Sequence, residues 1–214
     1  MKILAIDTTS NICSTALLED DKLIDENTIN NGLTHSENLM PLISELFNRN
    51  KLSLSDINLI AVCVGPGSFT GIRIGIASIK AMAEVYKIPV AEVTSLESLA
   101  MSTIKNETIV SLIDARNNQV YAGIFNETIK LKEEYIADDI NIVLEKVKKY
   151  ENVIFVGNGA ILHKELINEK NKNAKFAENN EQNSYFVGLV GLKKSKNNEL
   201  KDADSVLPIY LRKR

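Results

Sequence analysis

The sequence predicts an α/β protein built of two similar lobes, and three observations carry that prediction. The first thirty residues alternate apolar runs with turn clusters (KILAID, TSN, ICSTALL, EDDK, LIDENTI), the pattern of a three-stranded meander. Segments with apolar residues at helical spacing then alternate with continuous apolar strands, which implies right-handed parallel crossovers. Finally, LAIDTTSNICSTALL and SLIDARNNQVYAGIF give the same succession of strand, aspartate, polar turn and strand, so the chain reads as internally duplicated. A boundary between residues 104 and 105 divides it into lobes 1–104 and 105–214, each long enough to bury a core.

In the first lobe a helix is expected over Ser36–Asn48, where Leu39, Met40, Leu42, Ile43, Leu46 and Phe47 recur at helical spacing and Pro41 falls early enough to be tolerated or to kink. NLIAVCV (58–64) is a continuous apolar strand that runs into GPGSFTGIRIG and a helix from about Ser68 to Tyr86; Pro89 then introduces a further strand, IPVAEV. The second lobe opens with the strand Thr108–Asp114. A third strand over TIKLKEEYI, a helix near Asp139–Lys149, the strand NVIFVG, a helix after Gly159 and a helix near Ser184–Lys196 follow, the last a candidate to pack back on the first lobe. A meander whose first strand ends in aspartate, followed by helix, strand and helix and then repeated, resembles the ribonuclease-H-like lobes of the actin and sugar kinase (ASKHA) superfamily, here with the second lobe truncated.

Composition narrows the function classes. With 44% hydrophobic residues, 25% charged residues and a net charge of -3, the chain has no general attraction to nucleic acid. No run approaches the roughly 18 apolar residues of a membrane span, and Asp7 interrupts the opening stretch, so the expected setting is the cytoplasm, without membrane insertion. Cys13 and Cys63 sit in apolar strand-like runs with no Cys/His clustering and read as reduced core residues. The sequons at Asn106 and Asn126 have meaning only in a secretory context and read as chance.

The glycine-rich junction invites a phosphate reading. Gly65 and Gly67 flank Pro66 in a tight turn, and Ser68 is placed to cap a helix whose N–H groups would attract an anion. A phosphate loop, however, needs Lys-Ser/Thr after its last glycine, where Ile72 and Arg73 follow Gly71, and a dinucleotide fingerprint needs glycine where Thr70 stands. The plainer reading is a capped helix that packs closely. Along that helix Phe69, Ile72, Ile76, Ile79 and Ala83 form one apolar stripe, Ile74, Ala77, Ala81 and Val85 a second, and Gly71, Gly75, Ser78 and Met82 a stripe of small and flexible side chains. Such a helix needs more than one covering neighbour, a second protein among the candidates.

Asp7 ends the buried first strand and Asp114 is its echo; they are candidate nucleotide or anion contacts together with Gly67 and Ser68, or simply acceptors for the turns that follow them. His35 has Leu39 four residues on, so no two-histidine metal site exists on that helix and a capping neighbourhood of Thr34 and Ser36 is expected instead. His163 has no visible partner, and Arg212, Lys213 and Arg214 form a basic ending that would be solvated or touch a phosphate backbone.

Taken together, AIDTTSNICSTALL, HSENLMPLI, VCVGPGSFTGIRIGIASIKAMA, DARNNQVYAGIF, VGNGA and PIYLR resemble the bacterial TsaB family, also called YeaZ, over nearly the whole chain, with GPGSFTGIRIG the most specific block. The resemblance implies a non-catalytic, cytoplasmic subunit required to form threonylcarbamoyladenosine at position 37 of tRNAs that read codons beginning with A. It implies binding and activation of the transferase TsaD, which holds metal through a His-x-x-x-His helix aligning with His35 and Leu39, and recruitment of TsaE through that pair. Self-association would replace TsaD when it is absent. ATP and metal would be handled by the partners, with no cofactor or metal of this chain's own. The partner interface so implied comprises Leu39, Met40, Ile43, Phe47, Gly71, Arg73, Gly75, Ser78 and Met82, with Gly71 and Gly75 letting another helix come close. Two enzyme readings stand as alternatives: an ATP-dependent phospho- or acyltransferase using Asp7 and the glycine-rich loop, and a metallopeptidase.

Overall fold

The first strand, β1 (Lys2–Asp7), pairs antiparallel with β2 (Cys13–Glu19), which pairs antiparallel with β3 (Lys22–Ile29). Helix α1 (His35–Asn50) leads to β4 (Leu59–Cys63), parallel to β1; α2 (Phe69–Tyr86) leads to β5 (Val90–Val93), parallel to β4; α3 (Ser95–Met101) follows. The resulting order is β3-β2-β1-β4-β5. This computed structural model describes residues 1–32, 34–103 and 107–211. The boundary read between residues 104 and 105, the sequon asparagine at position 106 and the basic ending 212–214 lie outside the described residues.

The second half repeats the scheme. Strand β6 (Thr108–Asp114) pairs antiparallel with β7 (Gln119–Phe125), and β7 with β8 (Ile136–Asp139). Then come α4 (Ile140–Val147), β9 (Val153–Val156) parallel to β6, α5 (Asn158–Leu162), α6 (Lys164–Lys170), β10 (Lys175–Phe176) parallel to β9, and α7 (Ser184–Lys196). The order β10-β9-β6-β7-β8 mirrors the first sheet, so two ribonuclease-H-like sheets of the ASKHA type are present. By compactness the chain forms one unit of Met1–Ser98 with Gln182–Ile209 and another of Leu99–Glu181 with the remainder.

Within the first unit both faces of the sheet are covered, which is why β1 and β4 are apolar at consecutive positions. Alternation along the strands sends Leu4, Ile6, Leu17, Ile60 and Val62 into one core with Leu39, Ile43 and Leu46 of α1 and Ile72 and Ile79 of α2. The opposite face carries α7. A Cβ on Gly188 would lie 2.5 Å from Leu18 Cδ1, and one on Gly191 would lie 2.5 Å from Ala61 Cβ, so both glycines are where helix and sheet come closest. Each of these fully buried aliphatic side chains contributes about 1.5–3 kcal/mol. In the second unit Val110, Leu112, Val120, Ala122 and Phe155 pack with Val143 and Leu144 of α4.

Three local expectations are corrected. The third strand of the second lobe is Ile136–Asp139, because Asn126 Oδ1 accepts from Thr128 N, Thr128 Oγ1 and Lys130 N and holds the start of TIKLKEEYI in a turn. The helix placed after Gly159 starts at Asn158 and is broken at His163 into α5 and α6. Helix α3 was not anticipated, although Thr94-Ser95-Leu96-Glu97 is a capping box: Thr94 N donates to Glu97 Oε2 at 2.7 Å and Glu97 N to Thr94 Oγ1 at 3.0 Å. Among the described residues no helix is long and apolar enough to cross a membrane.

Candidate functional site

The parallel strands of the first sheet end together at Asp7, Cys63 and Val93, the end at which open α/β sheets place ligands. Asp7 is only 1% exposed. Its Oδ1 accepts from Thr9 N at 2.8 Å and Thr9 Oγ1 at 2.7 Å, and Ser95 Oγ donates to Thr9 Oγ1 at 3.0 Å. Cys63 Sγ lies 3.2 Å from Ser95 Oγ and 3.6 Å from Thr9 Oγ1. Asp7 Oδ2 is buried without a hydrogen bond. Burial pushes the Asp7 carboxyl above its ordinary range, opposed by the two Thr9 hydrogen bonds. Burial also raises both thiols, Cys13 to about 11 with help from the Asp7 charge, and Cys63 well above the usual value. Thr9 belongs to the Thr8–Ser10 turn expected to donate to Asp7, whereas Ser95 carries no such signal beyond its position two residues past the end of β5.

The glycine-rich junction is folded onto the β1–β2 turn. Ser68 N donates to Thr9 O at 2.7 Å, Ser68 Oγ accepts from Gly71 N at 3.2 Å, and Thr8 Oγ1 donates to Gly71 O at 2.7 Å. A Cβ on Gly67 would fall inside van der Waals contact of Thr9 O, and one on Gly71 inside that of Thr8 O. Two of the N–H groups expected to attract an anion, those of Ser68 and Gly71, are thus already committed to the chain. Asp7, Gly67 and Ser68 are brought together around Thr9, but as a closed internal junction. Asp7 offers one carboxylate oxygen without a hydrogen bond here, and the described residues hold no group of three His, Cys, Asp or Glu side chains that would take a metal.

Asp114, in the second unit, has Oδ1 accepting from Arg116 N at 2.9 Å, and its own N–H donates to Asn158 Oδ1 at 3.0 Å. Both aspartates therefore do what the turn reading expected of them. His35 Nε2 bonds the Ser10 carbonyl oxygen at 2.8 Å, and Leu39 lies in the core. Glu37 accepts from Thr34 N at 3.0 Å just before the helix, consistent with the capping neighbourhood. His163 sits at the α5–α6 junction with Nε2 buried and unpartnered.

The residues put forward for a partner interface divide. Leu39, Ile43, Gly71, Gly75 and Met82 are buried in the first unit, and Gly71 and Gly75 accommodate Thr8 and His35 of the same chain where a foreign helix was expected. Phe47 and Ser78 are half-buried, Arg73 is exposed with its guanidinium 3.9 Å from the Phe69 ring centre, and Met40 is 48% exposed. Next to them Val85 is 71% exposed and Ala77 and Ala81 are also exposed, so three of the four residues of the second apolar stripe of α2 are left uncovered, together with Phe69 of the first, which is 55% exposed.

Comparison with known proteins places these features. The family model described as TsaD, tRNA N6-adenosine threonylcarbamoyltransferase, matches residues 29–213. The tRNA threonylcarbamoyladenosine biosynthesis protein TsaB of Bacillus subtilis is 34% identical over 222 residues, spanning 99% of this chain and 94% of that protein. Among solved structures, a Pseudomonas aeruginosa protein described as similar to the peptidase YeaZ superposes with a TM-score of 0.82 at 25% identity, covering 99% of both chains. An ROK hexokinase of Thermus thermophilus shares the fold at a TM-score of 0.59 and 10% identity, covering 92% of this chain and all of that one.

Proposed function

This chain belongs to the TsaB (YeaZ) family, within the group covered by the TsaD family model, and on that premise we propose that it serves the formation of threonylcarbamoyladenosine in tRNA as a non-catalytic subunit that binds and activates TsaD. The observation that carries the reading is the pairing of a closed junction with an open face. The loop that would cradle a nucleotide is tied to Thr8 and Thr9, while α2 leaves Phe69, Ala77, Ala81 and Val85 exposed beside Met40 of α1. Where TsaD needs a second histidine, Leu39 supports the core. The chain then acts in the cytoplasm through the α1–α2 face, with TsaE joining through the TsaD pair and a second copy of this chain taking TsaD's place in its absence. Asp7 serves the fold, which weighs against the phospho- and acyltransferase alternative.

The test is reconstituted threonylcarbamoylation of tRNA by TsaD with and without this chain. Dependence on the chain, with no ATP turnover by the chain alone, is the expected result; full-rate modification without it overturns the proposal. Ala81→Arg and Met40→Asp, both on exposed positions, are expected to abolish co-purification with TsaD at an unchanged melting temperature. Unchanged association in both variants would remove the α1–α2 face from the proposal.

A further inference from the structure

The second unit contains a half-open cleft of about 520 Å³ beside the C-terminal end of α4 and the connection from α6 to β10. Lys148, Lys170 and Lys172 line it together with Asn152, Asn171 and Asn173. The buried side chains of Leu144 and Val147 supply its apolar part. Its volume lies within the roughly 300–1,000 Å³ of small-ligand sites.

The charge at this place runs against the rest of the molecule. The chain as a whole carries -3, yet three lysines line the cleft against one acidic lining residue, Glu151, with Glu145 beside Lys148. Lys148 is partly neutralised, since both oxygens of Glu145 accept from its Nζ at 2.7 Å. Lys170 donates to a neutral acceptor, Asn141 Oδ1, at 2.7 Å and shares the nearby Glu145 carboxylate with Lys148, so one carboxylate serves two ammonium groups. Lys172 has no hydrogen-bond or ion-pair partner among the described residues. The wall that carries these two lysines is fixed beforehand: Asn171 N donates to Ile167 O at 2.8 Å, Ala174 N to Asn171 O at 3.0 Å, and Asn173 N to Asn171 Oδ1 at 3.2 Å. A site ordered before binding loses less entropy when occupied.

We propose that this cleft takes a ribonucleotide phosphate, and that the tRNA backbone supplies it during modification; this rests on the function proposed above. Lys170 and Lys172 meet the phosphate oxygens. The asparagine carboxamides, which both donate and accept, meet the ribose hydroxyls, a recognition that a bare anion would not require. The cleft belongs to the second unit and the α1–α2 face to the first.

Binding of an unmodified tRNA transcript to the intact chain, followed by fluorescence anisotropy across a salt series, tests the proposal. Lys170→Glu combined with Lys172→Glu is expected to weaken binding about tenfold or more and to lower the salt slope by about two, one for each lost phosphate contact. Lys22→Glu, on exposed β3, leaves both unchanged. AMP displaces the transcript, and inorganic phosphate does so less well. Equal affinity and slope in the double variant and the parent overturns the proposal, as does absence of tRNA binding by the parent. Displacement by inorganic phosphate as good as by AMP, with no slope change, makes this a free-phosphate site and overturns the RNA assignment. Failure of the functional proposal is read separately: modification independent of the chain, with tRNA binding still lost in the double variant, sinks the function and leaves the cleft.

Discussion

The two lobes start from the same local pattern and finish with different chemistry. Each runs strand, aspartate, turn and antiparallel strand, and in each the aspartate Oδ1 accepts the N–H two residues on, from Thr9 or from Arg116. Yet Asp7 is sealed in the core and Asp114 remains partly exposed. The difference arises at the next strand-to-helix junction. GPGSFTG folds Ser68 N onto Thr9 O and launches the 18-residue α2, whereas VGNGA launches the five-residue α5 and offers only the Asn158 side chain to Asp114 N. Turn chemistry sets the aspartate's local geometry; the length and closeness of the following helix decide whether it becomes part of a core.

The largest effect is expected where that closeness is removed. Gly71→Ala places a Cβ 1.9 Å from the Thr8 carbonyl oxygen, while Gly159→Ala meets the backbone carbon and oxygen and the Cβ of Leu112 at 3.0–3.1 Å. Replacing glycine in a helix gains about 1 kcal/mol of propensity. That gain roughly balances the mild crowding at Gly159, but not overpacking at Gly71, for which a loss of about 3 kcal/mol is expected. Urea unfolding of the two variants measures this, and equal losses would break the contrast between the junctions. Gly75 is similarly unsuited to an interface test, since its Cβ would stand 2.5 Å from Thr8 Oγ1.

Next in size is Thr9→Val, which removes the hydroxyl shared by Asp7 and Ser95 and leaves polar groups unpaired, at a cost of about 2 kcal/mol. Both cysteines lie in the first unit and both thiols are buried, so a thiol reagent reports opening of that unit alone. A loss of about 2 kcal/mol corresponds to roughly thirtyfold faster labelling when opening is fast and reversible. Gly159→Ala is expected to leave the labelling rate alone. Acceleration by Gly159→Ala equal to that by Thr9→Val would show that the lobes open as one.

How much of this was legible depended on whether the deciding contact was local. The strands β1, β2, β6 and β7, the Ser68 cap and the whole of α7 follow from periodicity and capping chemistry that neighbouring residues carry. TIKLKEEYI alternates like a strand, but one Asn126 side chain captures its first residues in a turn, and alternation does not reveal that. The small-residue stripe of α2 was visible, but its direction was not. Gly71 and Gly75 face Thr8, more than sixty positions away in sequence, so spacing alone could not separate an internal seam from an external one. The buried Asp7–Thr9–Ser95–Cys63 cluster is likewise assembled from three strand ends that only the sheet order brings together.

The smallest of the expected effects is also the one that isolates burial from geometry. Asp7→Asn keeps an oxygen for both Thr9 hydrogen bonds, replaces only the oxygen without a hydrogen bond, and removes the ionisable group. Because burial raises the folded-state pKa of Asp7, the folded chain retains a proton that the unfolded chain releases from about pH 4 upward. Its contribution to stability is therefore complete below that pH and is lost as pH rises through the folded value. Asp7→Asn removes the falling arm, so the variant gains stability relative to the parent between pH 4 and neutrality, measured by urea midpoints at fixed ionic strength. Asp114→Asn, on a partly exposed turn, should stay within about 0.5 kcal/mol of the parent at pH 7. A flat difference for Asp7→Asn across that range would mean that the buried carboxyl is solvated by water or by a partner, and the distinction drawn between the two aspartates would then rest on geometry alone.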